Sequence, residues 1–160
     1  MFERFTREAK NVVLAALAAA QQLGAEQVEP EHLLLGLAEG DTAASRAIAE
    51  AGLDAEAISA AIEADLVAML EVVGVPAAVL DATPVAPRAD HPGFGVHGRG
   101  ALEQALRELR RGERRIGAEH LLLGVLHAPS PTLTRVLART GVEPGRLAAL
   151  VEVEVAAARR

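Results

Sequence analysis

The chain has 160 residues, half of them apolar, with 16 basic side chains against 22 acidic ones and no cysteine. That length suits one domain or two very small ones with a genuine core, and the missing thiols exclude disulfides, thiolate chemistry and cysteine-held zinc while fitting a reducing compartment. The formal charge of −6 conceals an asymmetry, because residues 1–73 hold four Lys/Arg against thirteen Asp/Glu and residues 88–160 hold twelve against eight.

The N-terminal stretch MFERFTREAKNVV mixes acids and bases where a signal peptide needs an apolar core, and no apolar run reaches the ~18 residues of a membrane span. A soluble, cytoplasmic chain is therefore expected. Lys10, the only lysine, has no glycine before it, so the phosphate-cradling loop of a P-loop ATPase is excluded. Thr6 can cap a first helix whose stripe is Val13, Leu14, Leu17 and Ala20, stopped near Gly24. A second helix opens near Pro30 with Leu33, Leu34 and Leu37 inward. Thr42 starts a third, which Gly52 ends. Leu53 and Asp54 then open a fourth, with Ile58, Ile62, Leu66, Met69 and Val73 on one side.

The stretch from Val73 to Gly98 concentrates proline and glycine and reads as a linker, with His91 and His97 as solvated loop residues. Further helices are expected near 99–111, 118–127, 131–140 and 144–158. The basic run Arg110 to Arg115 surrounds Gly112 at a helix end, and His127 lies near another, both favourable against the helix dipole. Phe2, Phe5 and Phe94 are the only aromatics, too few for the base-stacking platforms of nucleic-acid binders. No segment alternates apolar and polar residues over a strand length.

The hexapeptide EHLLLG occurs twice, at Glu31–Gly36 and Glu119–Gly124. An offset of 88 also aligns Leu14 with Leu102, Gly24 with Gly112 and Val28 with Ile116, and an offset of 89 pairs Arg46 with Arg135 and Gly52 with Gly141. Similarity running through about 60 residues marks a duplicated unit. The expected fold is all-α: eight helices as two four-helix repeats related by a pseudo-twofold axis, residues 1–73 and 99–160, joined through 74–98 into one compact domain.

Three readings of the duplicated Glu-His pair stay open on the residues alone. Adjacent helical residues point about 100° apart, so a metal or acid-base site would need Glu31, His32, Glu119 and His120 to converge across the axis. A bland alternative is a scaffold in which first-turn carboxylates merely oppose the helix dipole. The third is a binding module, with surface carboxylates gripping a guanidinium bidentately and the Thr6 helix start offering N–H groups to an anion. No serine lies in a nucleophile elbow.

The stretches MFERFTREAKNVVLAALAAAQQLG, PEHLLLGLAEG and AEHLLLGV resemble the N-terminal repeat domain of the Clp AAA+ unfoldases, most closely the ClpC branch. The resemblance implies a non-enzymatic domain without cofactor or metal, which receives substrate proteins and adaptors for a Clp unfoldase coupled to a protease. It implies further that phosphoarginine can be recognised, with Glu31 and Glu119 holding the guanidinium and Thr6 belonging to the first phosphate cradle. Pro30 and Ala118 replace the usual threonines, and Gly95 stands where the second repeat should have its threonine cap, which weakens the second phosphate site. Since no ATPase module follows Arg160, the expected role is that of an adaptor or decoy, or of one piece of a longer chain. No nucleic-acid or membrane partner is expected.

Overall fold

The computed structural model describes residues 2–79 and 92–160. Its helices are α1 (Arg7–Gln22), α2 (Pro30–Ala38), α3 (Ala43–Glu50), α4 (Ala55–Val72), α5 (Val96–Arg107), α6 (Ala118–His127), α7 (Pro131–Thr140) and α8 (Pro144–Ala158). The caps read from the sequence form. Thr6, Thr42, Asp54 and Ser130 each accept the N–H three residues on, from Ala9 at 3.2 Å, Ser45 at 3.1 Å, Ala57 at 2.7 Å and Leu133 at 3.2 Å. Each satisfies one donor that a helix start leaves free.

The two copies of the hexapeptide are built into close helix pairs. The buried face of α1 is Ala9, Val12, Val13, Ala16, Ala19 and Ala20, and its small side chains let α2 approach backbone to backbone. A Cβ on Gly36 would stand 2.7 Å from the Val12 carbonyl oxygen and 2.9 Å from the Ala16 nitrogen. On Gly124 it would meet the Ala101 carbonyl oxygen at 2.5 Å and the Ala105 nitrogen at 2.7 Å, where α6 crosses α5. The glycine ending the motif is thus a contact requirement, and the leucines before it fill the core.

The second half of each repeat is exchanged. Helix α3 packs mainly on α8, and α4 mainly on α7, so each repeat's third helix rests on the fourth helix of the other. One continuous core results, held across the pseudo-twofold axis.

Several expectations need correction. Leu14 is 63% exposed, since the face of α1 that turns inward is the alanine-rich one. In α4 the apolar stripe is only half used: Ile58, Ala61 and Asp65 are buried, whereas Leu66 and Met69 are each 48% exposed and Val73 is exposed. The first helix of the second repeat begins at Val96, not near 99, and ends at Arg107, well before 111. It starts early because the Gly95 N–H is bonded to the Val28 carbonyl at 3.0 Å, fixing the chain entry. That contact belongs to a two-residue parallel pairing, β1 (Gln27–Val28) with β2 (Gly93–Phe94), matched across the axis by a Phe5–Ile116 bridge. Such pairings are too short to leave an alternating pattern. Of the expected linker, residues 80–91, His91 included, lie outside the described residues. His97 is not a loop residue but lies in α5, its Nδ1 3.1 Å from the Pro129 carbonyl oxygen.

Candidate ligand-binding sites at the two motif helices

In both motifs the histidine is the third helical residue and caps its own helix. His32 Nδ1 accepts the Glu29 N–H at 3.0 Å, and His120 Nδ1 accepts the Gly117 N–H at 2.9 Å. A neutral ring that accepts at Nδ1 carries its proton on Nε2. The two rings part company there: His120 Nε2–H donates to Glu113 Oε2 at 2.8 Å, whereas the repeat offset places Ala25 where Glu113 would stand for His32. Burial lowers the His32 pKa from 6.5 to about 4, so this ring is neutral at physiological pH. Partial burial pushes the Glu113 carboxyl up, but hydrogen bonds from the Arg110 N–H, His120 and Arg159 outweigh it and hold it at about 2. Both motif histidines are structural. Among the described residues no group of three His, Asp or Glu is gathered as a metal site.

The two glutamates occupy different surroundings. Glu31 is only 7% exposed, which corrects the expectation of a surface carboxylate. Its Oε2 is, among the described residues, the buried side-chain atom without a hydrogen-bond partner. Burial raises its pKa from 4.5 to about 7; a hydrogen bond from its own backbone opposes the rise, while Glu29 and Asp65 add to it and His97 opposes it. Glu31 lines a cavity of about 460 Å³ whose walls include Ile62, Leu66 and Met69. Asp65, buried in the same wall, is held bidentately by Arg135 at 3.0 and 3.1 Å, with Arg139 at 3.5 Å. Glu119, by contrast, keeps 26% of its side chain exposed. It shares a cavity of about 310 Å³ with Glu8, Asp41, Thr42, Arg46 and Arg159. There Arg46 reaches Glu154 at 3.0 Å, the pseudo-symmetric counterpart of Arg135 on Asp65, but at the surface.

The exchange also re-pairs the anticipated site residues. The Thr6 N–H donates to the Ile116 carbonyl at 2.9 Å, so the start of α1 stands beside the second motif, near Glu119, and not beside Glu31. Glu31 instead faces the start of α5. That helix start is already capped: Glu29 Oε2 accepts the Gly98 N–H at 2.8 Å, and Glu29 Oε1 fills the space a Cβ on Gly95 would need. The repeat offset puts Gly117 at the position of Glu29; there the Glu119 carboxylate stands where a Cβ on Gly117 would go, and the start of α1 is capped by its own Thr6 hydroxyl on the Ala9 N–H. Neither the pairing nor the Glu29 plug was visible in the hexapeptide. The cue was Glu29 against Gly117, two residues before each glutamate.

A third feature escaped the sequence reading. Phe2, Lys10, Val13, Leu14, Leu17 and Phe94 line an apolar groove of about 300 Å³ on the outer side of α1. Phe2 stands edge-on to Phe5 at 5.1 Å between ring centres. The exposure of Leu14, unexplained by the core, belongs to this groove.

Fold and sites together describe a duplicated helical domain whose distinguishing chemistry lies at the two related helix starts. The sequence of residues 4–89, more than half of the chain, matches the Clp repeat (R) N-terminal domain family. The chain belongs to that family. It is 33% identical over 150 residues to the chloroplastic chaperone protein ClpC1 of Arabidopsis thaliana, a match that covers 92% of this chain and 14% of the relative. It is 31% identical over 144 residues to the negative regulator of genetic competence ClpC/MecB of Bacillus subtilis, covering 89% of this chain and 16% of that protein. The chain thus spans about one-seventh of the length of these relatives. Among solved structures, the N-terminal domain of the chaperone ClpD from Arabidopsis thaliana superimposes with a TM-score of 0.69 at 22% identity, covering 97% of this chain and 99% of that one. The Hsp104 N-terminal domain from Candida albicans does so with a TM-score of 0.64 at 15% identity, covering 92% and 88%. These two likenesses concern the fold.

Proposed function

We propose that the protein is a non-catalytic, polypeptide-binding module of the Clp system, engaging substrate proteins or adaptors of a Clp unfoldase. The observation that carries this reading is the apolar groove on α1, where Phe2, Leu14 and Phe94 offer a contiguous hydrophobic surface that the other described residues leave uncovered. Membership of the Clp repeat family supplies the context. The test is capture of a permanently unfolded model protein by wild type and by Leu14→Glu. Leu14 is exposed, so the variant keeps the fold while placing a charge in the groove; equal capture by both would sink the proposal. Supplied in trans, such a module would act as an adaptor or as a decoy. Adding it to a degradation assay with a Clp unfoldase distinguishes the two, since an adaptor speeds loss of substrate and a decoy slows it.

A finer reading concerns phosphoarginine, and what supports it is the second motif alone. A phosphoarginine side chain sets a cationic plane beside an anion. Glu119 is a partly exposed acceptor for the guanidinium. Arg46, Arg159 and the first-turn N–H groups of α1 other than that of Ala9, which Thr6 already caps, are the complements for the phosphoryl group. Calorimetric titration with free phosphoarginine is expected to give heat with wild type and with Glu31→Gln, and none with Glu119→Gln. Binding that depends on Glu31 would overturn this assignment.

A further inference from the structure

The arginine-rich run after α5 is used neither by the two motif helices nor by the apolar groove. It forms a turn, residues 110–115, whose counterpart in the first repeat is 22–27 by the offset of 88. Both turns pivot on a left-handed glycine, Gly112 at φ 94° and Gly24 at φ 67°. The first, however, reads QLGAEQ and carries no positive charge, so the fold does not require the arginines. Nor do they join the repeats, since among the described residues the ion pairs between repeats are Arg46 with Glu154, and Arg135 and Arg139 with Asp65. The helix dipole does not account for them either, because α5 ends at Arg107 and the effect fades beyond the last turn. What distinguishes the second turn is a lock. Glu113, its one acid, accepts the Arg110 N–H and the His120 Nε2–H, each at 2.8 Å, and pairs with Arg159 at the end of α8. The turn is thereby tied to the buried motif histidine while its only carboxylate is consumed internally. Arg111, Arg114 and Arg115 are left exposed, and exposed Arg4 joins them, its Nε–H reaching the Arg114 carbonyl at 3.4 Å. Among the described residues none of these four has an acid partner.

We propose that this locked turn is a docking surface for an acidic segment of a partner polypeptide, whose Asp and Glu carboxylates pair with Arg4, Arg111, Arg114 and Arg115. A planar guanidinium takes a carboxylate bidentately, and a turn held in place beforehand loses less freedom on binding. Four cations spread over two chain segments match a run of carboxylates better than a single anion. A nucleic acid fits less well. A long polyanion would extend over the acidic first repeat of a protein whose net charge is −6, and three phenylalanines give little for bases to stack on. The proposal rests on the reading of the protein as a polypeptide-binding module. It names a class of partner at residues that neither the groove nor the phosphoarginine reading uses.

The experiment is fluorescence anisotropy in low-salt buffer with a fluorescein-labelled peptide, Gly-Glu-Glu-Asp-Gly-Glu-Glu-Asp-Gly, which has no apolar side chain for the groove. Its Gln/Asn analogue and a single-stranded oligothymidine of equal charge are the controls. Wild type is expected to bind the acidic peptide more tightly than either control, and added salt should weaken that binding. The triple variant Arg111→Gln, Arg114→Gln, Arg115→Gln changes exposed positions only and should keep the wild-type melting temperature. It should bind the acidic peptide about tenfold more weakly, three exposed contacts at about two- to threefold each. Glu113→Ala tests the lock. It removes a negative charge from the turn, yet should bind no more tightly than wild type, because the arginines lose their fixed placement; should this variant not fold, the triple variant decides. Equal binding by wild type and triple variant, equal binding of the uncharged analogue, oligothymidine bound as tightly as the peptide, or tighter binding by Glu113→Ala would each overturn the proposal. None of these outcomes touches the groove reading, which is decided at Leu14, or the phosphoarginine reading, which is decided at Glu119.

Discussion

The two motif helices share their backbone chemistry and differ in what lies around them. In both, a histidine Nδ1 caps the helix start, three leucines enter the core and a glycine admits the neighbouring helix. Around α2 the glutamate is buried, the adjacent acid–arginine pair is sunk into the wall, and the facing helix start is closed by Glu29. Around α6 the glutamate is partly open, the corresponding pair is Glu154 with Arg46 at the surface, and Gly117 supplies no side chain to the facing start, which its own Thr6 caps. Duplication has kept the residues that build the scaffold, and the neighbours of the motif have drifted apart. A repeated motif therefore reports the fold, while the residues flanking it decide the chemistry.

The largest effect is expected where the two regions are alike. An alanine at Gly124 would press its Cβ on backbone atoms of α5 that no rotamer change can move, and Gly36 is nearly as tight. Each substitution should destabilise by about 3 kcal/mol, the upper part of the range for overpacking, with Gly124→Ala the worse of the two. Gly145, in the first turn of α8, has nothing within 4 Å of its added Cβ. Gly145→Ala should be neutral or stabilising by up to about 1 kcal/mol. Urea midpoints of the three variants make the comparison; a harmless Gly124→Ala would mean that the helices do not approach as described.

The next effect breaks the likeness. Glu31 holds its proton in the folded state up to about pH 7, whereas the unfolded chain releases it near 4.5. Between those values the folded state binds more protons, so the Glu31 contribution to stability falls as pH rises and is fully unfavourable above pH 7. The shift corresponds to about 3 kcal/mol, and relaxation around the ionised group reduces it to roughly 2 kcal/mol. His32 has the opposite slope. Its folded pKa lies near 4 against 6.5 unfolded, so its contribution is present above 6.5 and is lost as pH falls towards 4. In wild type the two slopes nearly cancel between pH 4.5 and 6.5. Glu31→Gln should therefore raise stability at pH 8 and expose a clear loss on acidification that wild type does not show. Thermal melts from pH 4 to 8 read both, and parallel curves for variant and wild type would refute the burial argument.

How much of this was legible beforehand follows from where each signal resides. Thr6, Thr42, Asp54 and the prolines mark helix starts by local chemistry, and the duplicated spacing carried the eight-helix, two-repeat plan. Exchange of the third and fourth helices was not legible, because periodicity tells which face of a helix is apolar and not which helix covers it. Leu14, Leu66 and Met69 were therefore assigned inward by spacing when they form open surface. The same limit misdirected the site. Thr6 and Glu31 belong to one repeat in sequence, but the Phe5–Ile116 bridge sets Thr6 beside the other repeat's motif. Pairings across a pseudo-twofold axis are long-range facts, and a motif carries only short-range ones.

A smaller difference is expected between the two acid–arginine pairs. Asp65 is 3% exposed and receives three hydrogen bonds from Arg135, whereas Glu154 meets Arg46 in the open. Exposed pairs contribute little, because water and salt screen them and side-chain entropy opposes them. Asp65→Asn should thus lower the melting temperature more than Glu154→Gln, and the difference should survive 0.5 M salt, which screens only the surface pair. Equal shifts would show that burial of Asp65 adds nothing to the exchange of α4 onto α7.

The smallest change in stability should bring the most informative change in binding. If the Glu29 plug is what denies the first site a phosphoryl group, removing it and supplying the absent cap should make the first helix start resemble the second. Glu29→Gly empties the space beside Gly95, and only then does Gly95→Thr have room for a side chain, because in wild type the carboxylate stands where the new Cβ would go. The double variant exchanges one carboxylate cap at Gly98 for a threonine hydroxyl, so its net cost should be about 1 kcal/mol or less. Titration with phosphoarginine should then report two binding events where wild type shows one, with the new event removed by Glu31→Gln. A double variant that folds and still binds a single equivalent would mean that burial of Glu31, and not the capped helix, keeps the modified arginine out. In that case the difference between the repeats would lie in the depth of the carboxylate alone.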